Sequence, residues 1–168
     1  PPGLGARAVV APGCRPVGDP YVVTGSDGNL LLSLAGRPAL ERLQDVLDAA
    51  DDETRDRLRR GLHVGLVIDE QRDAYESGDF LVRSVLGADR SSGAVAIGDQ
   101  AAVGTTIQFQ VRDAEAATVD LRTRLHGLQA SGALVFTCNG RGSHLFGSSG
   151  HDAQHFTDGL GTTAVAGM

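Results

Sequence analysis

The stretch from Phe136 to Gly147, FTCNGRGSHLFG, gathers most of the side chains in this sequence that could do chemistry. An apolar run delivers Cys138, Asn139, Gly140, Arg141 and Gly142, with His144 close behind and His151, Asp152 and His155 following. Three chemistries use these residue types. A thiolate nucleophile needs a lowered pKa and a base within reach. Cys138 has Arg141 and His144 nearby in sequence, but nothing marks a residue that would orient the histidine. A metal site would draw on Cys138, His144, His151 and His155, the last two four apart and so on one face of a helix. HDAQH is close to the zincin pattern, but Asp152 is one methylene shorter than the glutamate base, and no third ligand follows at a usual spacing. An anion-binding turn would use the backbone N–H groups of Asn139–Gly142 after a strand. Arg141 would supply a planar fork for a carboxylate or phosphate, and Gly140 and Gly142 would be free to take positive φ. The pattern is neither Gly-x-Gly-x-x-Gly nor Gly-x-x-x-x-Gly-Lys, so it carries no nucleotide fingerprint. Each reading has a plain counterpart: a buried thiol, two solvent-facing histidines, or a loop with an exposed arginine. The turn accounts for more of these residues than the other two.

Two further places share its chemistry. GCRPVGDP sets Cys14 beside Arg15 in a Gly/Pro loop, and Arg83 lies mid-strand in GDFLVRSVLG. Pointing inward, Arg83 needs an acidic partner or an anionic ligand; pointing outward it is an ordinary surface residue.

These residues need elements to hold them. RAVVA (7–11) reads as a short strand and PGCRPVGDP as a loop. YVVTGSDGNLLLSLAG reads as a hairpin turning at Ser26–Asn29. RPALERLQDVLDAA carries Ala39, Leu40, Leu43, Val46, Leu47 and Ala50 at helical spacing after Pro38. DDETRDRLRR is a second, short and exposed helix, acidic at its start and basic at its end. LHVGLVID is a strand. FLVRSVLGAD, AVAIGD and GTTIQFQVRD form a meander, the last with Thr106, Gln108, Gln110 and Arg112 on a polar face. Asp113 can cap a helix over 114–130 with Ala114, Ala117, Leu121, Leu125 and Leu128 inward. ALVFTC is a continuous apolar, central strand; HDAQHFTDGL is a short helix and TAVAGM a further strand. The fold class is therefore α+β, or mixed α/β, with helices packed on a largely antiparallel sheet.

Composition bounds the partners. The chain has 168 residues, a formal net charge of −6, 41% hydrophobic residues and 23 glycines. The one basic cluster, Arg55 to Arg60, is interrupted by Asp56, so nucleic acid is not expected. No apolar run approaches the roughly 20 residues of a membrane helix, and no signal peptide is evident. With only two cysteines, Cys14 and Cys138, reduced thiols in a cytoplasm are expected. The chain opens on Pro1 and stops on Met168 within an apolar run, so a longer parent protein is expected.

Taken together, GCRPVGDPYVVTGSDGNLLLSLAGRPALERL, GDFLVRSVLGAD and ALVFTCNGRGSHLFG followed by HDA resemble the FIST proteins, a sensory family of bacteria and eukaryotes. The match is to the C-terminal FIST domain, over about Gly13 to Met168, with residues 1–12 similar to the tail of the N-terminal FIST domain. The resemblance implies an intracellular, cytoplasmic signal-transduction module that binds a small ligand, amino-acid-like or another anionic metabolite, and passes the signal to a protein partner without catalysis. It implies no obligatory cofactor, although some relatives bind haem and sense nitric oxide; His144, His151 or His155 would then be the axial ligand. It carries ligand-site roles onto Cys14, Arg15, Arg83, Cys138, Asn139, Gly140, Arg141, Gly142, His151 and Asp152, with Pro16, Gly18 and Asp79 as further motif positions. The sequence departs from the pattern in reading APGCRPVG, and the segments that follow the last apolar strand in the family are missing, so 13–168 is expected to be an incomplete domain. A thiol enzyme using Cys138 is the remaining alternative.

Overall fold

The computed structural model describes residues 5–168 and divides into two compact units: Cys14–Asp113, and Ala114–Met168 together with the segment that ends at Gly13.

The first unit is a closed antiparallel barrel. Its strands are β1 (Cys14–Asp27), β2 (Leu30–Leu34), β3 (Arg37–Pro38), β4 (Leu62–Val67), β5 (Phe80–Asp89), β6 (Ala94–Ile97) and β7 (Thr106–Arg112). They lie in the order β1-β7-β4-β5-β6-β2-β3, and β1 also pairs with β2, which closes the ring. Closure comes from the length of β1. Its first part, Cys14 to Val22, pairs with β7, and its second, Val23 to Asp27, pairs with β2. Register shifts between Val17 and Tyr21 and between Val23 and Ser26 let it bend from one neighbour to the other.

The interior is largely aliphatic around Phe109: inward residues alternate along the strands as Val64 and Leu66 on β4, Val95 and Ile97 on β6, and Ile107, Phe109 and Val111 on β7, and β2 adds Leu31 and Leu34. Helix α1 (Ala39–Ala49) adds Ala39, Leu43 and Val46 to this core, and α2 (Asp52–Arg60) adds Leu58. Thus α2, expected to be exposed, buries its one large apolar residue. The Asp51 carboxylate caps α2 by accepting from Thr54 N at 2.7 Å.

The second unit holds α3 (Ala114–Leu125), β8 (Ala133–Val135), a 3₁₀ turn (Asn139–Arg141), α4 (Ser143–Phe146), α5 (His151–Leu160) and β9 (Val165–Gly167). Strands β8 and β9 pair in parallel, which the long helical connection between them permits.

An α+β fold with a large antiparallel sheet is what the pattern predicts, but several elements differ from expectation. Residues 7–11 have no regular structure, and none of them is buried, with Val10 exposed. The Gly/Pro segment expected to be a loop is strand from Cys14 onward. Pro16 sits opposite Gln110 where β1 has β7 as its neighbour, and a strand paired on one side tolerates a missing N–H. The meander breaks after β6: β7 lies between β1 and β4. Its polar face is covered, with Thr106 and Gln110 buried and neither end of the Gln110 carboxamide hydrogen-bonded. The long helix ends at Leu125, two residues before the left-handed Gly127. ALVFTC is not a central strand. Only Ala133–Val135 pair, in a two-stranded sheet apart from the barrel, with Leu134 and Phe136 exposed.

Candidate functional site

The glycine-rich turn after β8 delivers Arg141, and the start of α5 delivers Asp152. Gly150, at φ 77°, reverses the chain just ahead of α5, and Asp152 then lies in the first turn, where a negative charge suits the helix dipole. The two side chains meet as a fork on a fork. Arg141 Nε donates to Asp152 Oδ2 at 2.7 Å and Nη2 donates to Oδ1 at 2.8 Å, with both side chains only 9% exposed. The third nitrogen, Nη1, donates to the Ala11 carbonyl at 3.1 Å. Gly13 completes this clasp. Its φ is 69°, and a Cβ there would fall on Arg141 Nη1 and lie 2.8 Å from Ala117 Cβ. The Ala11–Gly13 segment and the turn after Cys138 therefore meet through the Arg141 guanidinium.

His151 extends the network. Its Nδ1 lies 3.0 Å from Asp152 Oδ1, and its Nε2 lies 2.9 Å from Thr118 Oγ1, whose proton goes to the Ala114 carbonyl at 2.7 Å. Phe146 stacks on the imidazole at a centroid distance of 3.6 Å, and the Arg141 guanidinium stands 5.4 Å from the Phe146 ring centroid. His155, one turn further along α5, meets His151 edge-on at 4.3 Å. Burial alone would raise the Asp152 pKa, but hydrogen bonds from Arg141 and His151 and their charge hold it below the ordinary aspartate value. His155 is held below the ordinary histidine value by desolvation and by the neighbouring His151 and Arg122, against the opposing pull of Asp158 and Asp152.

The other candidates are distributed differently. Cys138 is exposed at the start of the 3₁₀ turn, its carbonyl accepting from Arg141 N at 2.9 Å. Asn139 and Gly142 are also exposed. Neither Gly140 nor Gly142 takes a positive φ; the left-handed glycines here are Gly13, Gly147 and Gly150. Cys14, Arg15 and Arg83 belong to the barrel unit. Cys14 is buried on β1, its carbonyl accepting from Ser77 Oγ at 2.7 Å, and no disulfide joins it to Cys138. Arg15 lies 3.5 Å from Asp113, a carboxylate it shares with Arg57, and donates to Thr54 Oγ1 at 3.2 Å. Arg83 donates to Asp99 at 2.6 Å and to the Val82 carbonyl at 3.0 Å. Asp79 pairs with Arg72 at 2.9 Å and accepts from Glu76 N at 2.9 Å.

Among the described residues no three His, Cys, Asp or Glu side chains come together as a metal site. For a haem, His144 is exposed on a four-residue helix, and both ring nitrogens of His151 already have protein partners. The remaining histidine, His155, faces a cleft of about 300 Å³ lined by Arg122, Leu125, His126, Gly127, Asp158 and Gly159. Gly13, Thr118, Phe146 and this cleft were not legible in the sequence. Their one signal is the i, i+4 spacing of Arg122 with His126 and of His151 with His155.

The comparison with known proteins joins this geometry to a family. The FIST C domain matches residues 39–168, which covers all the helices, the turn and the Asp152 network. The chain belongs to the FIST C family. FIST C domains are sensory, signal-transduction modules. The chain is also similar to an uncharacterized protein of Mycobacterium tuberculosis, 45% identical over 99% of this chain and 45% of the relative. A Mycobacterium bovis protein of the same description is 46% identical, again over 99% of this chain and 45% of the relative. The chain thus spans about half the length of the curated relatives it matches. No solved structure matches it significantly. Among the described residues of this FIST C chain, no helix is long and apolar enough to cross a membrane.

Proposed function

We propose that this chain is a non-catalytic sensory module that binds a small ligand, amino-acid-like or another anionic metabolite, and that the Arg141–Asp152–His151 network is the latch that responds. One observation carries the reading: a buried ion pair, rather than apolar packing, fastens the Ala11–Gly13 segment to α5. Burying two charges costs desolvation that their attraction scarcely repays, so apolar side chains would hold the segment at least as firmly. Charge has a different use. A pair of this kind opens when a competing ion or proton arrives, which apolar contacts do not do. The exposed turn Cys138–Gly142 gives a ligand access to the latch from solvent, and a signalling partner would read the released segment.

The same geometry favours binding over catalysis. The His151–Asp152 pair has the outline of a base and its orienting carboxylate. Its Nε2, however, faces Thr118, whose hydroxyl proton is already given to a helix carbonyl, and not a thiol or a vacant site. The test is a thermal-shift screen of amino acids, small carboxylates, nucleotides and haemin, repeated on Arg141→Ala. A ligand that binds only the folded state raises the melting temperature. At least one small anion or amino acid is expected to do so, with the effect reduced in Arg141→Ala. A chain that no compound stabilises would overturn the reading, and a Soret band after haemin addition would replace it with a haem sensor.

A further inference from the structure

We propose that the cleft between α3 and α5, walled by Arg122, His126, His155 and Asp158, binds a small oxyanion, a carboxylate or phosphate, and that its occupancy reaches the Arg141 latch through the contact of His155 with His151. The purpose of such a site rests on the sensory reading above; the binding itself does not.

Three observations support the site. First, α3 and α5 leave an open concavity of about 300 Å³, at the small end of ligand pockets, which suits a compact molecule. Gly159 allows it, since a Cβ there would lie 3.1 Å from the Leu125 side chain where the two helices approach. Second, Arg122 has no acidic partner among the described residues, whereas Arg124, on the same helix, pairs with Asp120 at 2.6 Å and Arg141 with Asp152. An unpaired guanidinium facing a cleft is a fork ready for a carboxylate or phosphate. Third, two imidazoles, His126 and His155, share its walls and present ring nitrogens to it.

The opposing charges set the conditions. Asp158 lines the same cleft, and the carbonyl ends of both helices lie near it, so with His155 neutral Arg122 is the guanidinium that an anion meets against these. His155 is faced by Arg122 from α3, by His126 just past the end of that helix, and by His151, Asp152 and Asp158 from its own helix. Arg122 and His151 oppose its protonation, and an oxyanion seated between Arg122 and His155 would relieve that opposition. Binding therefore takes up a proton and tightens as pH falls. The proton adds a cation against His151 and redistributes the charge around Asp152, on which the Arg141 bond to the Ala11 carbonyl depends.

The test titrates inorganic phosphate and, separately, acetate into the chain at about pH 6 and about pH 8, on either side of the histidine range, and reads the histidine ring signals by NMR. Acetate keeps its charge across that range and so carries the pH comparison. Saturable shifts of the His126 and His155 rings are expected, with His151 following. Binding should be tighter at the lower pH and about tenfold or more weaker in Arg122→Gln, the loss expected for a charged hydrogen bond. Saturation by phosphate alone assigns a phosphate site, and saturation by acetate a carboxylate site. Arg122 is exposed, so the variant should melt like the parent without anions. No saturable shift with either anion, or shifts that Arg122→Gln leaves unchanged, overturns the site. A compound that raises the melting temperature without moving these rings, and with no loss in Arg122→Gln, would leave the sensory reading standing and remove this cleft from it.

Discussion

Asp152 is the residue on which the site turns. It answers the guanidinium of Arg141 with both oxygens and meets His151 besides, so Asp152→Asn leaves a buried cation short of a charge. A loss of about 2–3 kcal/mol in urea unfolding is expected, below the full cost of an orphaned buried charge because the amide oxygen still accepts one bond. The acid dependence should change with it. The carboxyl is held below its ordinary value in the folded chain, so its contribution is fully present above the unfolded aspartate value of about 3.9 and is lost as pH falls through the folded one. Asp152→Asn should be flatter across that range; an identical acid profile would show that the pair contributes nothing. Gly13→Ala probes the other half of the clasp. A side chain at φ 69° is strained and would fall on Arg141, so a loss of about 2 kcal/mol in thermal or urea unfolding is expected. A Gly13→Ala chain as stable as the parent would mean that Ala11 and Arg141 are not held together. The sequence marked Arg141, His151 and Asp152 as chemically loaded but could not show that they face one another. A guanidinium eleven residues from its carboxylate reads as an open anion site until the intervening turn and helix are placed.

At the scale of elements, the β2–β3 turn stores strain. Ala35 is the one non-glycine with positive φ among the described residues, at 46°, next to Gly36 at 75°. Two such residues suit a tight hairpin, but alanine bears the Cβ clash that glycine avoids. Arg42 on α1 holds the turn by donating to the Leu34 and Ala35 carbonyls at 3.2 and 3.1 Å. Ala35→Gly is expected to stabilise the chain by about 0.5–1 kcal/mol in denaturant unfolding, the relief of strain exceeding the added unfolded-state entropy. A destabilised variant would place the strain elsewhere. Helices α1, α2 and α5 and the β1–β2 hairpin were legible because their signals are local: the stripe through Leu43 and Val46, the Gly28 turn, the acidic start and basic end of α2. The course of β7 was not. TIQFQVR alternates as a half-exposed strand should, yet Gln110 is fully buried, and β7 leaves its sequence neighbour β6 to sit between β1 and β4. Pairing partners are a property of the closed ring, and no window of sequence holds them.

For the molecule as a whole, the two units differ in what they can do alone. The Cys14–Asp113 unit closes on itself, leaves little open edge and has its own aliphatic core, so as a separate fragment it should fold. Circular dichroism and a dispersed amide spectrum would check this, and a fragment without cooperative unfolding would contradict it. Residues 114–168 contain only a two-stranded parallel sheet, with Leu134, Phe136 and Met168 exposed, and should not fold in isolation. The FIST C assignment gives the chain a sensory class, and the proposal that the Arg141–Asp152 pair is a latch gives that class a physical element to test. The measurement that bears most directly on this account is equilibrium binding with recovery of the ligand. The best compound of the thermal-shift panel is titrated calorimetrically, then recovered after prolonged incubation and weighed by mass spectrometry. One equivalent bound and the compound returned unchanged is the predicted result; a compound chemically converted, or a panel from which nothing binds, would contradict it.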